Sequence, residues 1–169
     1  MEERMHERMP ITPTMQLLES LPGVGDILSI VIVSEIGAIG RFARAEQLAS
    51  YAGTTPTVNS SGGKSRYGHL PAQSNHYLKW AFIEAANVIV RQRHHRNWRG
   101  KYAVRLYERT RQRKGHSVAV GATARYLAEA TYWVLKKGEP YREPVPRPPA
   151  GKKPPFRSSR TRPAPNMGP

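Results

Sequence analysis

Apolar positions recur at helical spacing along most of the chain, and the pattern breaks in two places. Met15-Gln16-Leu17-Leu18-Glu19-Ser20 starts one helical stretch, and Asp26 to Gly37 carries a second, strongly apolar one. Between them stands Leu21-Pro22-Gly23-Val24-Gly25. Pro22 has no N–H to donate and disfavours a helical Leu21, while Gly23 and Gly25 permit positive φ and close backbone approach. A short helix from about Ala45 to Tyr51 follows, with Phe42, Leu48 and Tyr51 turned back to the core and Gly53 as its C-terminal cap. Residues 54–75 then lose all periodicity. Their Thr, Ser, Asn and Gly content predicts a loop with few places for a strand, and a loop this long inside a compact unit is more often functional or disordered than a mere connection.

Helical spacing resumes near Asn75, with Tyr77, Leu78, Ala81, Phe82, Ala85, Ile89 and Val90 on one stripe and Ala85-Ala86 as a small patch for close helix approach. Trp98, Tyr102, Leu106 and Tyr107 predict another helix within residues 91–114. A third long helix runs from Ser117 to Lys137, with Val120, Ala124, Leu127, Ala128, Thr131 and Leu135 inward and Gly138 as its stop. The expectation is an all-α fold of five or six helices. It comprises a helix-hairpin-helix unit at 15–37, long helices after it, one long glycine-rich loop, and appendages. Residues 1–13 read as a flexible leader, 14–138 as the folded domain, and 139–169 as a disordered tail. That tail holds ten of the fifteen prolines, and its composition offers too little apolar surface to offset the entropy of ordering.

Charge sharpens this picture. The 169 residues carry 27 Lys and Arg against 12 Asp and Glu, a net +15, which points to a polyanionic partner and above all to nucleic acid. The tail adds seven basic residues against Glu139 and Glu143; it either contributes salt-dependent affinity or is simply solvated. With no cysteine there is no disulfide framework, thiolate zinc site or cysteine nucleophile. No apolar run reaches about 18 residues, which argues against a membrane span, and Met1 to Pro10 is too charged for a signal peptide. The default compartment is a bacterial or archaeal cytoplasm, on the nucleoid.

Two stretches could carry chemistry. The turn at 21–25 opens a helix whose free N–H groups and positive dipole end suit a phosphate, so Gly23 and Gly25 are candidate backbone contacts. The plain alternative is an ordinary glycine-rich interhelical turn. The most basic block supplies Arg91, Arg93, Arg96, Arg99 and Lys101 as further nucleic-acid contacts. In the loop, Ser60-Ser61-Gly62-Gly63 offers a hydroxyl that could attack a phosphodiester, with Lys64, Arg66 and His69 to supply charge or protons. The same four residues also suit a flexible linker. Glu19, Asp26, Glu35, Glu46 and Glu84 are scattered, and His94-His95 has no partner at ligand spacing, so no metal site is expected within this chain.

The ordered set Leu21-Pro22-Gly23-Val24-Gly25, Ile36-Gly37, Arg41-Phe42, Leu48-Ala49-Ser50-Tyr51-Ala52-Gly53-Thr54-Thr55-Pro56, Ser60-Ser61-Gly62, Asn75-His76-Tyr77-Leu78-Lys79-Trp80 and Glu84-Ala85-Ala86 resembles one known domain. It is the C-terminal domain of the DEDD-type insertion-sequence transposases, the bridge-RNA-guided recombinases of bacteria and archaea. The resemblance covers about residues 14–138. It implies DNA transposition by strand cleavage and transfer, with Ser61 as the nucleophile and Ser60 as the neighbour to test. It also implies DNA and a guide RNA as partners, and a homo-oligomer as the active form. Thr54, Ser74 and Lys79 stand where the family often has Leu, Gly and Arg. Family members also carry an N-terminal RNase H-like domain whose acidic DEDD set binds Mg2+. This chain has no room for it before the first helix, so the expectation is a fragment, a separately encoded half or a truncated copy that needs a DEDD-domain partner. The rival readings are a non-catalytic helix-hairpin-helix module that only holds nucleic acid, and a decayed transposase remnant.

Overall fold

Thr12 starts the first helix, one residue before the expected leader ends. In the computed structural model, which describes residues 12–55, 58–61, 64–67 and 74–145, its hydroxyl accepts from the N–H of Met15 at 3.3 Å, and Pro13 occupies the first turn. Helix α1 (Pro13–Glu19) buries Met15 and Leu18, then the chain turns through Leu21 to Gly25 into α2 (Asp26–Ile36). A single 3-10 turn (Ile39–Arg41) leads to α3 (Ala45–Tyr51). The later helices are α4 (His76–Gln92), α5 (Tyr102–Lys114) and α6 (His116–Lys137). The fold class is all-α, as the periodicity predicts.

Helix α6 is the axis of the core. It packs against α1, α3, α4 and α5, and buries Ala119, Val120, Ala124, Leu127, Ala128 and Thr131. Small residues there let its neighbours approach closely, while Phe82, Leu48, Leu18 and Tyr107 fill the remaining space with no more than 1% of their surface exposed. The Tyr132 hydroxyl, at the far end of α6, donates to the carbonyl of Ala43 at 3.0 Å and fixes the link before α3. No helix among the described residues is long and apolar enough to cross a membrane.

Four expectations need correction. First, the glycine-rich segment contains a two-stranded antiparallel ladder, β1 (Val58–Ser61) with β2 (Lys64–Tyr67). Only Gly62 and Gly63 separate the strands in sequence, the composition that two-residue hairpins favour. Second, the basic block is not one helix: residues 93–101 form successive turns, with the N–H groups of His95, Trp98 and Lys101 bonded to the carbonyls of Gln92, His95 and Trp98. Asn97 and Gly100 are weak helix formers, and the Arg93 guanidinium folds back onto the Val90 carbonyl at 2.5 Å. Third, the chain does not leave the fold at Gly138. Tyr141 donates its N–H to the Ser20 hydroxyl at 2.7 Å, its own hydroxyl meets that of Tyr126 at 2.7 Å, and the Glu143 carboxylate accepts from the N–H of Tyr102 at the start of α5 at 2.8 Å. Residues 139–145 therefore strap α6 to α1 and α5; the rest of the expected tail lies outside the described residues. Fourth, Tyr77 is not a core residue: it is 67% exposed, because the buried stripe of α4 runs through Leu78, Ala81, Phe82, Ala85 and Ile89. Tyr51 likewise keeps 37% of its surface in water, although its ring leans on Phe42.

Candidate nucleic-acid interface

The interhelical turn is built by packing more than by phosphate geometry. Gly23 sits at φ +84°, and a side chain there would collide with the backbone carbonyl of Ala85 and come within 3.3 Å of Ile89 Cγ1. The turn glycine and the Ala85-Ala86 patch are two halves of one contact. Gly23 thus serves the approach of α4, whereas Gly25 caps α2 with open space around it. The turn forms one side of an open groove of about 670 Å3, whose other side is made by Val88, Trp98 and Lys101. The Lys101 ammonium lies 4.8 Å from the centre of the Trp98 ring, where the ring face holds it. Glu19 and Asp26 also line this groove, so its charge is mixed.

The predicted basic contacts divide. Arg91, Arg96 and Arg99 are exposed. Arg93 is engaged within the fold, with Nε 3.2 Å from Glu108 and a guanidinium nitrogen on the Val90 carbonyl. Ser61, Lys64 and Arg66 lie on the β-ladder. Its register pairs Ser61 with Lys64, Ser60 with Ser65 and Asn59 with Arg66. Paired positions, and positions two apart along a strand, share a face. Ser61, Lys64 and Arg66 therefore occupy one face of the ladder and Ser60 the other. His69 lies outside the described residues.

A third cluster, at the root of this segment, is centred on Asn75. Asn75 uses every polar atom it has. Its carbonyl oxygen accepts from the N–H of Leu78 at 2.9 Å and caps α4; its amide nitrogen donates to Glu35 at 2.6 Å and to the Tyr51 hydroxyl at 3.3 Å; its backbone N–H donates to the Tyr51 carbonyl at 3.0 Å. One residue thereby ties α2, α3 and α4. The Arg41 guanidinium stacks on Phe42 and Tyr51, 4.7 and 4.5 Å from the ring centres. The Asn75 bond, and after it the Arg41 guanidinium, hold the Tyr51 phenol below the usual tyrosine range. The sequence signal was the Asn before an apolar helical run, a capping residue whose tertiary partners no local pattern reveals. Among the described residues no group of three or more His, Asp or Glu side chains is placed to hold a metal ion.

Sequence comparison finds relatives over most of the chain. The chain is 30% identical to the insertion element IS110 uncharacterized 43.6 kDa protein of Streptomyces coelicolor over 147 residues, 86% of this chain and 35% of the relative. It is 28% identical to the transposase for insertion sequence element IS1111A of Coxiella burnetii over 141 residues, 83% of this chain and 38% of the relative. A shorter match, 34% over 75 residues, relates it to the insertion element IS116 uncharacterized 44.8 kDa protein of Streptomyces clavuligerus, covering 44% of this chain and 19% of that protein. The chain thus spans between about a fifth and two-fifths of the length of these relatives. The family model matches residues 15–103, which run from α1 through the interhelical turn, the β-ladder and α4 to the start of α5. The chain belongs to the transposase IS116/IS110/IS902 family.

Proposed function

We propose that this chain is the DNA-cleaving and strand-transferring domain of a DEDD-type insertion-sequence transposase, with Ser61 as its nucleophile. The observation that carries this reading is the ladder register, which sets Ser61 opposite Lys64 and on the same face as Arg66. A serine hydroxyl is a poor nucleophile until its proton is taken and the phosphorane charge is neutralised. The Ser61 oxygen forms a bond to phosphorus, a bridging phosphodiester oxygen leaves with its electron pair and takes up a proton, and the product is a phosphoserine ester plus a free strand end. Lys64 and Arg66 bear on the developing negative charge. The acidic, magnesium-binding set is assigned to a second domain or polypeptide. A guide RNA and further copies of the chain complete the active assembly.

Supplied with that domain, its RNA and a suicide DNA substrate, the chain forms an adduct that survives denaturation and maps to the peptide holding Ser60 and Ser61. Ser61→Ala abolishes the adduct and leaves DNA binding intact. An adduct lost in Ser60→Ala and kept in Ser61→Ala moves the nucleophile by one residue. Cleavage with no covalent species rejects the serine mechanism.

A second reading, a helix-hairpin-helix module that only binds, draws on the groove between the interhelical turn and Trp98-Lys101. In that case DNA affinity falls steeply with salt, with a log–log slope of about −0.9 per neutralised phosphate, and no adduct forms under any condition. A flat salt response rejects phosphate binding in either reading.

A further inference from the structure

The first turns of α4 carry two large rings that the fold does not use. Tyr77 is 67% and Trp80 is 48% exposed, while Leu78, Ala81 and Phe82 beside them are fully buried. Three residues apart on a helix, the two rings belong to one outer stripe. Among the described residues neither ring packs against another aromatic ring or a cation. The backbone bond from Asn75 to Tyr51 brings the end of α3 alongside, and there the partly exposed Tyr51 ring carries the Arg41 guanidinium on its face. One end of the molecule therefore presents three exposed aromatic rings and a stacked guanidinium. It is the end from which the segment holding Ser61 leaves and to which it returns.

The chemistry of this surface selects its partner. Arg41 is stacked on the Tyr51 ring, and exposed His76 and partly exposed Lys79 flank Tyr77 and Trp80 along α4. Glu35 is bonded to Asn75, and Glu84, further along α4, accepts from Asn87 at 3.4 Å. A second copy of this chain would bring its own net +15 against that field. Rings interleaved with cations suit nucleic acid instead, because every base offers a π-face and every nucleotide a phosphate. Within a duplex those faces are already covered by neighbouring bases, so only unpaired bases can stack on protein.

We propose that Tyr77 and Trp80, with the Tyr51–Arg41 stack, form a platform for the unpaired bases of a single nucleic-acid strand beside the Ser61 segment. The proposal rests on the reading that this chain acts on DNA, and it adds a sequence-tolerant site for opened strand. Strand transfer requires such a state, since the bases flanking a cut must unpair before they can pair with a new strand.

The test uses the full chain and two labelled probes of equal length, oligothymidylate and a mixed-sequence duplex, at one low salt concentration. Tyr77→Ala and Trp80→Ala each weaken oligothymidylate binding by about tenfold and leave duplex binding within twofold. Tyr77→Phe and Trp80→Phe keep a ring and keep most of the affinity. Tyr77→Leu and Trp80→Leu keep apolar surface without a π-face and lose it. Equal losses on both probes, wild-type binding by the leucine variants, or a fall in sedimenting mass in the alanine variants would each overturn the platform, the last by making this face a protein interface. Duplex binding that persists while oligothymidylate binding ignores both rings rejects the platform alone. A chain that binds neither probe rejects the underlying reading as well.

Discussion

Two turns of this molecule each press a glycine at positive φ against a neighbour, and they differ in what that neighbour is. In the interhelical turn, Gly23 (φ +84°) faces the backbone carbonyl of Ala85 in the middle of α4. At the root of the glycine-rich segment, Gly53 (φ +65°) faces the side chain of Ser74. Gly53 closes α3 with paired bonds, its own N–H to the Ser50 carbonyl at 2.9 Å and that of Thr54 to the Ala49 carbonyl at 3.0 Å. A helix carbonyl in a buried interface cannot yield without moving the helix; a serine side chain can be deleted. The first turn is part of the core, and the second is a hinge-like anchor whose obstacle is a single residue. One motif, a glycine after a helix, serves packing in one place and the exit of the glycine-rich segment in the other.

The harshest way to break this contrast is Gly23→Ala. Positive φ and collision with the Ala85 carbonyl together should cost about 3 kcal/mol, read as a fall of about 10 °C in the thermal midpoint. No side-chain deletion on α4 should restore it. A midpoint within about 2 °C of wild type would show that the turn is not clamped.

The strap offers a smaller effect with a sharper location. Ending the chain after Gly138 removes the donor to Ser20, the partner of Tyr126 and the carboxylate on Tyr102 N–H. Two of these bonds are neutral, one is to a carboxylate, and Tyr141 also packs on the core, so their joint loss should cost about 2 kcal/mol. Ending it after Val145 should cost almost nothing. Hydrogen exchange should accelerate at Leu21 and Val24 and stay unchanged at Thr54, since only the interhelical turn is tied to the strap. Equal midpoints for the two truncations would mean that residues 139–145 do not contribute.

Gly53→Ala should cost about 2 kcal/mol, and adding Ser74→Gly should recover about half of it, leaving the penalty of positive φ. The absence of any recovery would make the two turns alike.

The mildest probe is alkaline pH, to which the two regions respond with opposite sign. Burial pushes the Tyr126 phenol up to about 12, despite the bond to Tyr141, and burial with the Tyr126 bond raises Tyr141 as well. For these two, the stabilising contribution is complete below pH 10, the ordinary tyrosine value, and is lost as pH rises toward 12. Tyr51 is lowered by Asn75 and Arg41, so its contribution is complete above pH 10 and is lost as pH falls through its folded value; its exposure keeps that contribution slight. Ring-labelled tyrosine spectra should show Tyr51 titrating first and the strap pair last. Simultaneous titration would contradict the described hydrogen bonds.

The helical frame was legible because each helix buries one stripe, and the spacing of Leu78, Ala81, Phe82, Ala85 and Ile89 states that stripe directly. The turn glycine and the Ala85-Ala86 patch were each legible alone, but their meeting is a tertiary contact that no local window contains. The ladder was not legible, because Asn, Ser, Gly and Lys have little strand propensity and only register makes them a pair. The strap was hidden by composition. Prolines at 140 and 144 read as disorder, while Tyr141 between them supplies the anchor. At the candidate site the residue types were visible in Ser61, Lys64 and Arg66. The knot around Asn75 was not, since its partners come from three helices.

That knot has a consequence for how the segment can vary. Gly53 and Ser74 sit side by side and Asn75 closes on Tyr51, so the chain between them begins and ends at one point on the body. Closing a loop on fixed ends costs only about 0.6 kcal/mol more for each doubling of its length. The body is thus almost indifferent to how many residues are spliced in or out there. The reach of Ser61, at most roughly 25 Å from Thr54 as the chain stands, scales with their number. On the proposal that Ser61 is the nucleophile, insertions and deletions confined to this segment would retune the distance its hydroxyl can reach toward a strand, and the helices would register hardly any change.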